Sequence, residues 1–422
     1  MMQSQPQPVI DDPRGRGFRS RITVEQFQSL ISETVIQFGS ETILTRNSHR
    51  RVLAQPIRSN RPIPSFDRAA MDGFALIANE TYGSDHYTPS KFTCIGQSWP
   101  GQGFFGKIQP GETVAIATGA PVPDGADAIV PVEYAEVIHD IVKICEPVTP
   151  GRHIGRVGED VQPDLALFPS GRVLRPQDLG ILSGLGIDQI SVVKQPRIAI
   201  IITGNEVVQA FETASRYKIS DMNSPMLASL VDRDGGLPLI IGPLSDDFAI
   251  LQDTILELAN NPEIQAIFIN GGSSTGPEDF APSIVAHEGQ LLAHGVALRP
   301  ASPTGFGIIS EKPVLLIPGN PVSCLCAYDF FGTRIVRILS GRPIAWTYHQ
   351  MRMQLANKIT SALGRVDYVR VRFNDGQIQP MSTGGASILS GTTRADGFLV
   401  VPADLEGYPS GTILDVWCYD IP

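Results

Sequence analysis

A chain of 422 residues, 42% hydrophobic and 18% charged, is long enough for several domains with sizeable cores and too apolar to stay disordered. Its net charge of −10 argues against general nucleic-acid binding, and an acidic protein that holds an anion needs local cations or a metal to do so. No apolar run approaches the ~18 residues of a membrane span, and the five cysteines, odd in number and without zinc spacing, point to a reduced, cytoplasmic protein.

Residues 1–18 lack the apolar core of a signal peptide and read as a disordered tail. A helix is predicted over 23–38. Thr23 and Gln26 have capping-box spacing, Phe27, Leu30, Ile31, Val35 and Phe38 share one face, and Gly39 supplies the stop. Residues 59–151 alternate short β-like runs with turns, as a β-rich inserted domain would. The flanks 19–58 and 152–195, with a short helical pattern at 176–185, read as a linking domain joining the ends of that insert.

From 196 to 345 the texture changes to α/β. Buried strands are predicted at 197–203, 237–241, 267–269 and 314–317. Between and after them come helices opened by Asn223-Ser224-Pro225, by Ser245-Asp246-Asp247, and by Asn320-Pro321, the last running to Leu339. Strands alternating with helices make a doubly wound, mostly parallel sheet. Residues 346–422 return to short strands and glycine-rich turns, a C-terminal β-barrel.

Ligands of doubly wound sheets lie beyond the carboxyl ends of the strands. Three loops fall there: Thr203-Gly204-Asn205-Glu206, Gly271-Gly272-Ser273-Ser274-Thr275-Gly276, and Pro318-Gly319-Asn320-Pro321-Val322-Ser323. Their glycines and hydroxyls let an anion approach the backbone. Glu278 and Asp279 set carboxylates beside such a loop, which calls for a divalent cation between acid and anion. Glu206 and Asp279 follow buried strands at the same sheet edge and are the candidate metal ligands. Asp246 serves equally well as a helix cap. The histidines form no ligand motif, and Cys324-x-Cys326 reads as structural.

Asp72 in AMDGFA, Thr118 in ATGAPVPDGADAIVPVE, Asp160 in GED, then TGNE, GGSSTGPEDF and IPGNPVS together resemble the molybdopterin molybdenumtransferase family, which includes the C-terminal part of gephyrin. The match runs in order from about residue 20 onward. The resemblance implies a reaction on adenylylated molybdopterin and molybdate, in which the pyrophosphate link is cleaved, molybdenum joins the dithiolene and AMP leaves. It implies Mg²⁺, and a homodimer in which the partner subunit completes each site.

By the same resemblance, Glu206, Asp279 and Asp72 are the catalytic carboxylates, Glu206 and Asp279 holding Mg²⁺. Asp246 would face the nucleotide. Asp72, Thr118 and Asp160 would come from the partner subunit. Gly271, Gly272, Ser274, Gly319, Asn320 and Pro321 would line the substrate. Arg299, Ser302, Ser323, Arg365 and Ser387 would form the oxyanion pocket. The pathway's adenylyltransferase and apo-molybdoenzymes are further possible partners; nucleic acid and membrane are not expected. The chain departs from the family where a lysine-bearing KPGKP-type segment reads Arg299-Pro300-Ala301-Ser302-Pro303, and where the GGVSVG-type loop carries Ser274 and Pro277. A non-catalytic scaffold and an adenylyltransferase stay open as alternatives.

Overall fold

The computed structural model describes residues 21–273, 279–381 and 385–420. The expected tail at 1–18, Ser274 and Glu278 therefore lie outside the described residues. The chain divides into two compact units, 1–41 with 50–52 and 192–422, and 42–49 with 53–191.

The first unit is built on a six-stranded sheet in the order Leu237–Leu244, Arg197–Thr203, Ala266–Asn270, Lys312–Ile317, Gly305–Ile309, Gln290–His294. The strands from Leu237–Leu244 to Lys312–Ile317 are parallel, and the last two are antiparallel. Alternate residues of the central strands face opposite layers. Ile198, Ile200, Ile202, Phe268, Leu315 and Ile317 face a core with Leu227, Val231, Tyr328 and Phe331. Ala199, Ile201, Ile267, Ile269, Val314 and Leu316 face a second core with Leu251, Ile255 and Ile284. Each fully buried aliphatic chain contributes about 1.5–3 kcal/mol of transfer free energy, so both faces hold the strand register.

The first helix is Val24–Thr34, entered through the Thr23–Gln26 capping box. It stops before the predicted end because Val35 is already extended, its amide donating to Ile31 O at 2.8 Å. Phe27 then packs on Phe331, centroids 4.2 Å apart with the rings tilted by 37°, so this helix packs on the α/β core of its own unit. The long helix after Pro321 runs as Pro321–Ala327, a π-turn over Tyr328–Gly332, and Thr333–Leu339. Its π-turn carries the fully buried Asp329.

At the end of the first unit, strands Val366–Asn374, Gln377–Pro380, His349–Leu355, Ile413–Cys418 and Gly397–Val401 pair around a closed five-stranded barrel. The short strand Leu298–Arg299 joins it in parallel, placing Arg299 opposite Asp367. The second unit is a six-stranded sheet in the order Ala128–Pro131, Gly73–Leu76, Glu112–Ile116, Ser90–Ser98, Ile141–Ile144, Ala135–Ile138. Among the described residues no helix is long and apolar enough to cross a membrane.

Candidate functional site

The crevice of the α/β domain opens where the connections from Arg197–Thr203 and Ala266–Asn270 leave in opposite directions, the switch point at which such sheets bind ligands. Thr203, Gly204 and Glu206 come from the first of these strand ends, and Asn270, Gly271, Gly272 and Ser273 from the second. With Asp246, Asp279, Pro318–Pro321 and Ser387 they line a cleft of about 710 Å³. Gly271 has φ +102° and a Cβ there would lie 2.4 Å from the Thr203 carbonyl oxygen, so only glycine lets these two strand ends close.

Asp246 does not cap its helix. Asp247 does, its Oδ1 accepting the Ile250 amide at 3.0 Å. Asp246 instead turns inward, accepting the Thr203 hydroxyl on Oδ1 and the Asn205 amide on Oδ2 at 2.9 Å. It thereby fixes the loop that carries the exposed Glu206.

Asn223 donates to Asn270 Oδ1 at 2.8 Å and to the Gly319 carbonyl at 2.6 Å, while Asn270 donates to the Pro318 carbonyl at 3.0 Å. The loops of two strands are thus bolted together through one helix start. That start is capped by Asp221, which accepts the Asn223 and Ser224 amides at 2.9 and 3.0 Å. The cap therefore lies upstream of the Asn-Ser-Pro segment, at an Asp two residues before Asn223, a residue type that favours helix starts. Asn270, at the end of a buried strand, carries no comparable local signal.

A second cleft, of about 800 Å³, shares Pro303, Pro318 and Asn320 with the first. Arg299 and Ser302 reach it from the α/β domain, and Ser323 from the first turn of the Pro321 helix. Arg365 and Arg370 reach it from the barrel. Ser387 Oγ donates to Asn320 Oδ1 at 2.7 Å, closing a barrel turn onto the helix start. The Val322 amide, in the first turn of that helix, donates to the Ala386 carbonyl at 2.9 Å. Ser302 Oγ donates to the Val296 carbonyl at 3.2 Å.

The two clefts are opposite in charge. The first is lined by Glu206, Asp221, Asp246 and Asp279 with no Lys or Arg among its described lining residues. The second is lined by Arg21, Arg299, Arg365 and Arg370 with no Asp or Glu among its described lining residues. A phosphate anion in the acidic cleft requires a cation with it, whereas a free oxyanion is suited by the basic one.

The remaining expected residues lie in the second unit. The Thr118 amide and hydroxyl both donate to Asp72 Oδ1, at 2.6 and 2.7 Å, and these bonds hold the Asp72 carboxyl below its ordinary pKa. Asp160 is exposed, its amide donating to the Ile63 carbonyl at 3.1 Å.

Three family models match in chain order: the MoeA N-terminal region (domain I and II) over residues 22–186, the "Probable molybdopterin binding domain" over 199–337, and the MoeA C-terminal region (domain IV) over 352–419. A protein of Methanocaldococcus jannaschii named for molybdopterin biosynthesis is 32% identical over 375 residues, 87% of this chain and 89% of that one. The chain belongs to the MoeA family. A MoeA-family relative from Mycobacterium tuberculosis H37Rv, named molybdopterin molybdenumtransferase 2, is 29% identical over 403 residues, 94% of this chain and 99% of its own. The crystal structure of a molybdopterin biosynthesis MoeA protein from Pyrococcus horikoshii OT3 superposes with a TM-score of 0.81 at 29% identity, covering 95% of this chain and 100% of that one. The MoeA fold accounts for the five-stranded closed barrel and the mixed α/β domain described above.

Proposed function

We propose that this chain is a molybdopterin molybdenumtransferase: it takes adenylylated molybdopterin and molybdate, inserts molybdenum at the dithiolene and releases AMP. The observation that carries the reading is the pair of clefts, one acidic and one basic, joined at Asn320. The acidic cleft suits a metal-bound pyrophosphate link, and the basic cleft suits molybdate, a tetrahedral dianion.

Among the described residues no three His, Cys, Asp or Glu side chains converge as a closed metal cage. Mg²⁺ usually takes one or two protein carboxylates and fills its shell with water and substrate oxygens. Glu206 and Asp279 are hard oxygen donors that line the same cleft and would hold it. When bound, the ion would neutralise charge developing on the phosphoanhydride oxygens. The protein's own part is positioning. Asp246 fixes the Glu206 loop, Gly271 and Gly272 bring backbone close to the phosphates, and the arginines hold the oxyanion near the dithiolene.

The reading includes a homodimer in which a second copy supplies Asp72, Thr118 and Asp160, a cytoplasmic location, and handover from an adenylyltransferase and to apo-molybdoenzymes. The test is to supply adenylylated molybdopterin, Mg²⁺ and molybdate, following AMP release and reconstitution of an apo-molybdoenzyme. Turnover that is lost in Asp279→Ala with the fold intact supports the assignment. Tight binding without AMP release makes the chain a scaffold, and consumption of ATP makes it an adenylyltransferase.

A further inference from the structure

The basic cleft has a carboxylate behind it. Asp367 is 1% exposed and stands on the barrel strand directly opposite Arg299. Its Oδ2 accepts from Arg299 Nη2 and from Ser361 Oγ, the latter at 2.6 Å. Its Oδ1 lies 3.8 Å from Arg365 Nε, and neither of those two buried atoms has a hydrogen-bond partner among the described residues. One buried acid therefore serves two arginines unequally. It grips Arg299, which belongs to the α/β domain, and only pairs by charge with Arg365, which belongs to the barrel.

We propose that Asp367 is the positioning and charge-setting residue of the oxyanion cleft, fixing Arg299 against the barrel and withholding one unit of positive charge from the bound anion. The proposal rests on the transferase reading for the identity of that anion. The electrostatic attraction between arginines and anion follows Coulomb's law. A tetrahedral dianion surrounded by arginines alone is held too firmly to be passed on, and each arginine is free to fold onto it in several ways. A buried carboxylate behind the arginines lowers the field and fixes their geometry together. Because the interaction scales with ligand charge, the acid weighs more on a dianion than on a monoanion of the same shape.

That scaling supplies a readout a merely structural role would not move. Binding of molybdate and, separately, of perrhenate to the full chain is measured by calorimetry at low ionic strength, for the wild type and Asp367→Asn. Molybdate is expected to bind about tenfold more tightly to the variant and perrhenate only about threefold, roughly the square root. The rate of AMP release at saturating molybdate is expected to fall at least about tenfold, because the guanidiniums lose their anchor. Equal changes for the two anions, no change, or no molybdate binding to the wild type in the millimolar range would each overturn the proposal.

If Asp367→Asn does not fold, Ser361→Ala replaces it. That variant keeps the charge, so the preference for dianion over monoanion should stay at the wild-type value while AMP release slows severalfold; an unchanged rate counts against the proposal. The two readings fail separately. A wild type that binds molybdate but never releases AMP removes the transferase reading, and a wild type that turns over no differently from Asp367→Asn removes only this one.

Discussion

Asp246 lies across the end of the neighbouring strand, Oδ1 accepting the Thr203 hydroxyl and Oδ2 the Asn205 amide, while Asn205 Oδ1 accepts the Asp246 amide at 3.2 Å. This reciprocal clamp joins the ends of Arg197–Thr203 and Leu237–Leu244 and sets the direction of Glu206. Asp246→Asn keeps the shape but cannot accept both donors. AMP release should fall about tenfold, with about 1 kcal/mol lost from stability for the lost hydrogen bond. Full activity at an unchanged KM would show that the clamp has no part in the reaction.

Asp221 should be separable from the chemistry. Replacing it with Ala leaves the Asn223 and Ser224 amides without their acceptor, a loss of about 1 kcal/mol by the usual worth of an N-cap. The denaturation midpoint should drop accordingly, and hydrogen exchange should quicken at residues 223 and 224. Since Asn223 ties Asn270 to Gly319, KM for the pterin substrate should rise by a few fold with little change in kcat. Wild-type exchange at those amides would mean that another group caps the helix.

The central strands were legible because residues buried on both faces, such as Ile198 to Ile202, leave an unbroken apolar run. The antiparallel strands Gln290–His294 and Gly305–Ile309 were not. Gly305 and Gly307 look locally like loop residues, yet a Cβ on Gly307 would meet the Gln290 carbonyl oxygen at 2.4 Å, a requirement set by the partner strand. In the same way the loops TGNE, GGSS and PGNP announce themselves, being short motifs at strand ends. The division into acidic and basic clefts does not, because Arg365 and Arg370 arrive from the barrel. Asp246 and Asp247 are adjacent acids, and helix register alone decides which caps and which clamps.

Two buried acids should give opposite pH dependences. Burial raises the Asp329 carboxyl to about 6, against the opposing pull of Arg233 and the Tyr348 hydroxyl. Its folded value exceeds the ordinary 3.8, so its contribution is fully present below about pH 4 and is lost as pH rises through 6. The hydrogen bond from Arg172 lowers Asp178 to about 2, outweighing burial, so that contribution is present above about pH 4 and is lost as pH falls towards 2. Each amounts to on the order of 2 kcal/mol. Urea midpoints measured from pH 3 to 7 should show Asp329→Asn gaining on the wild type as pH rises from about 4 to 6, and the deficit of Asp178→Asn shrinking as pH falls from about 4 towards 3. Parallel pH curves for all three proteins would exclude both assignments.

The two adjacent glycines of the second loop offer the sharpest contrast. Gly271 has φ +102°, and an added Cβ would stand 2.4 Å from the Thr203 carbonyl oxygen, a backbone atom that cannot yield without parting two strands. Its amide also donates to the Ile317 carbonyl at 3.1 Å, so one residue joins three strand ends. Gly272 has φ +56°, but its nearest neighbour would be the Thr203 methyl at 3.6 Å, an ordinary contact. Gly272→Ala therefore meets only the left-handed backbone penalty, about 1–2 kcal/mol. Gly271→Ala adds a clash and should cost about 3 kcal/mol or more. Gly272→Ala should fold and retain measurable AMP release. Gly271→Ala should melt well below it and release none, because the strand ends that carry Glu206 and Asp279 are forced apart. Similar melting points and rates for the two variants would mean that close approach of Thr203 and Gly271 is not what shapes the acidic cleft.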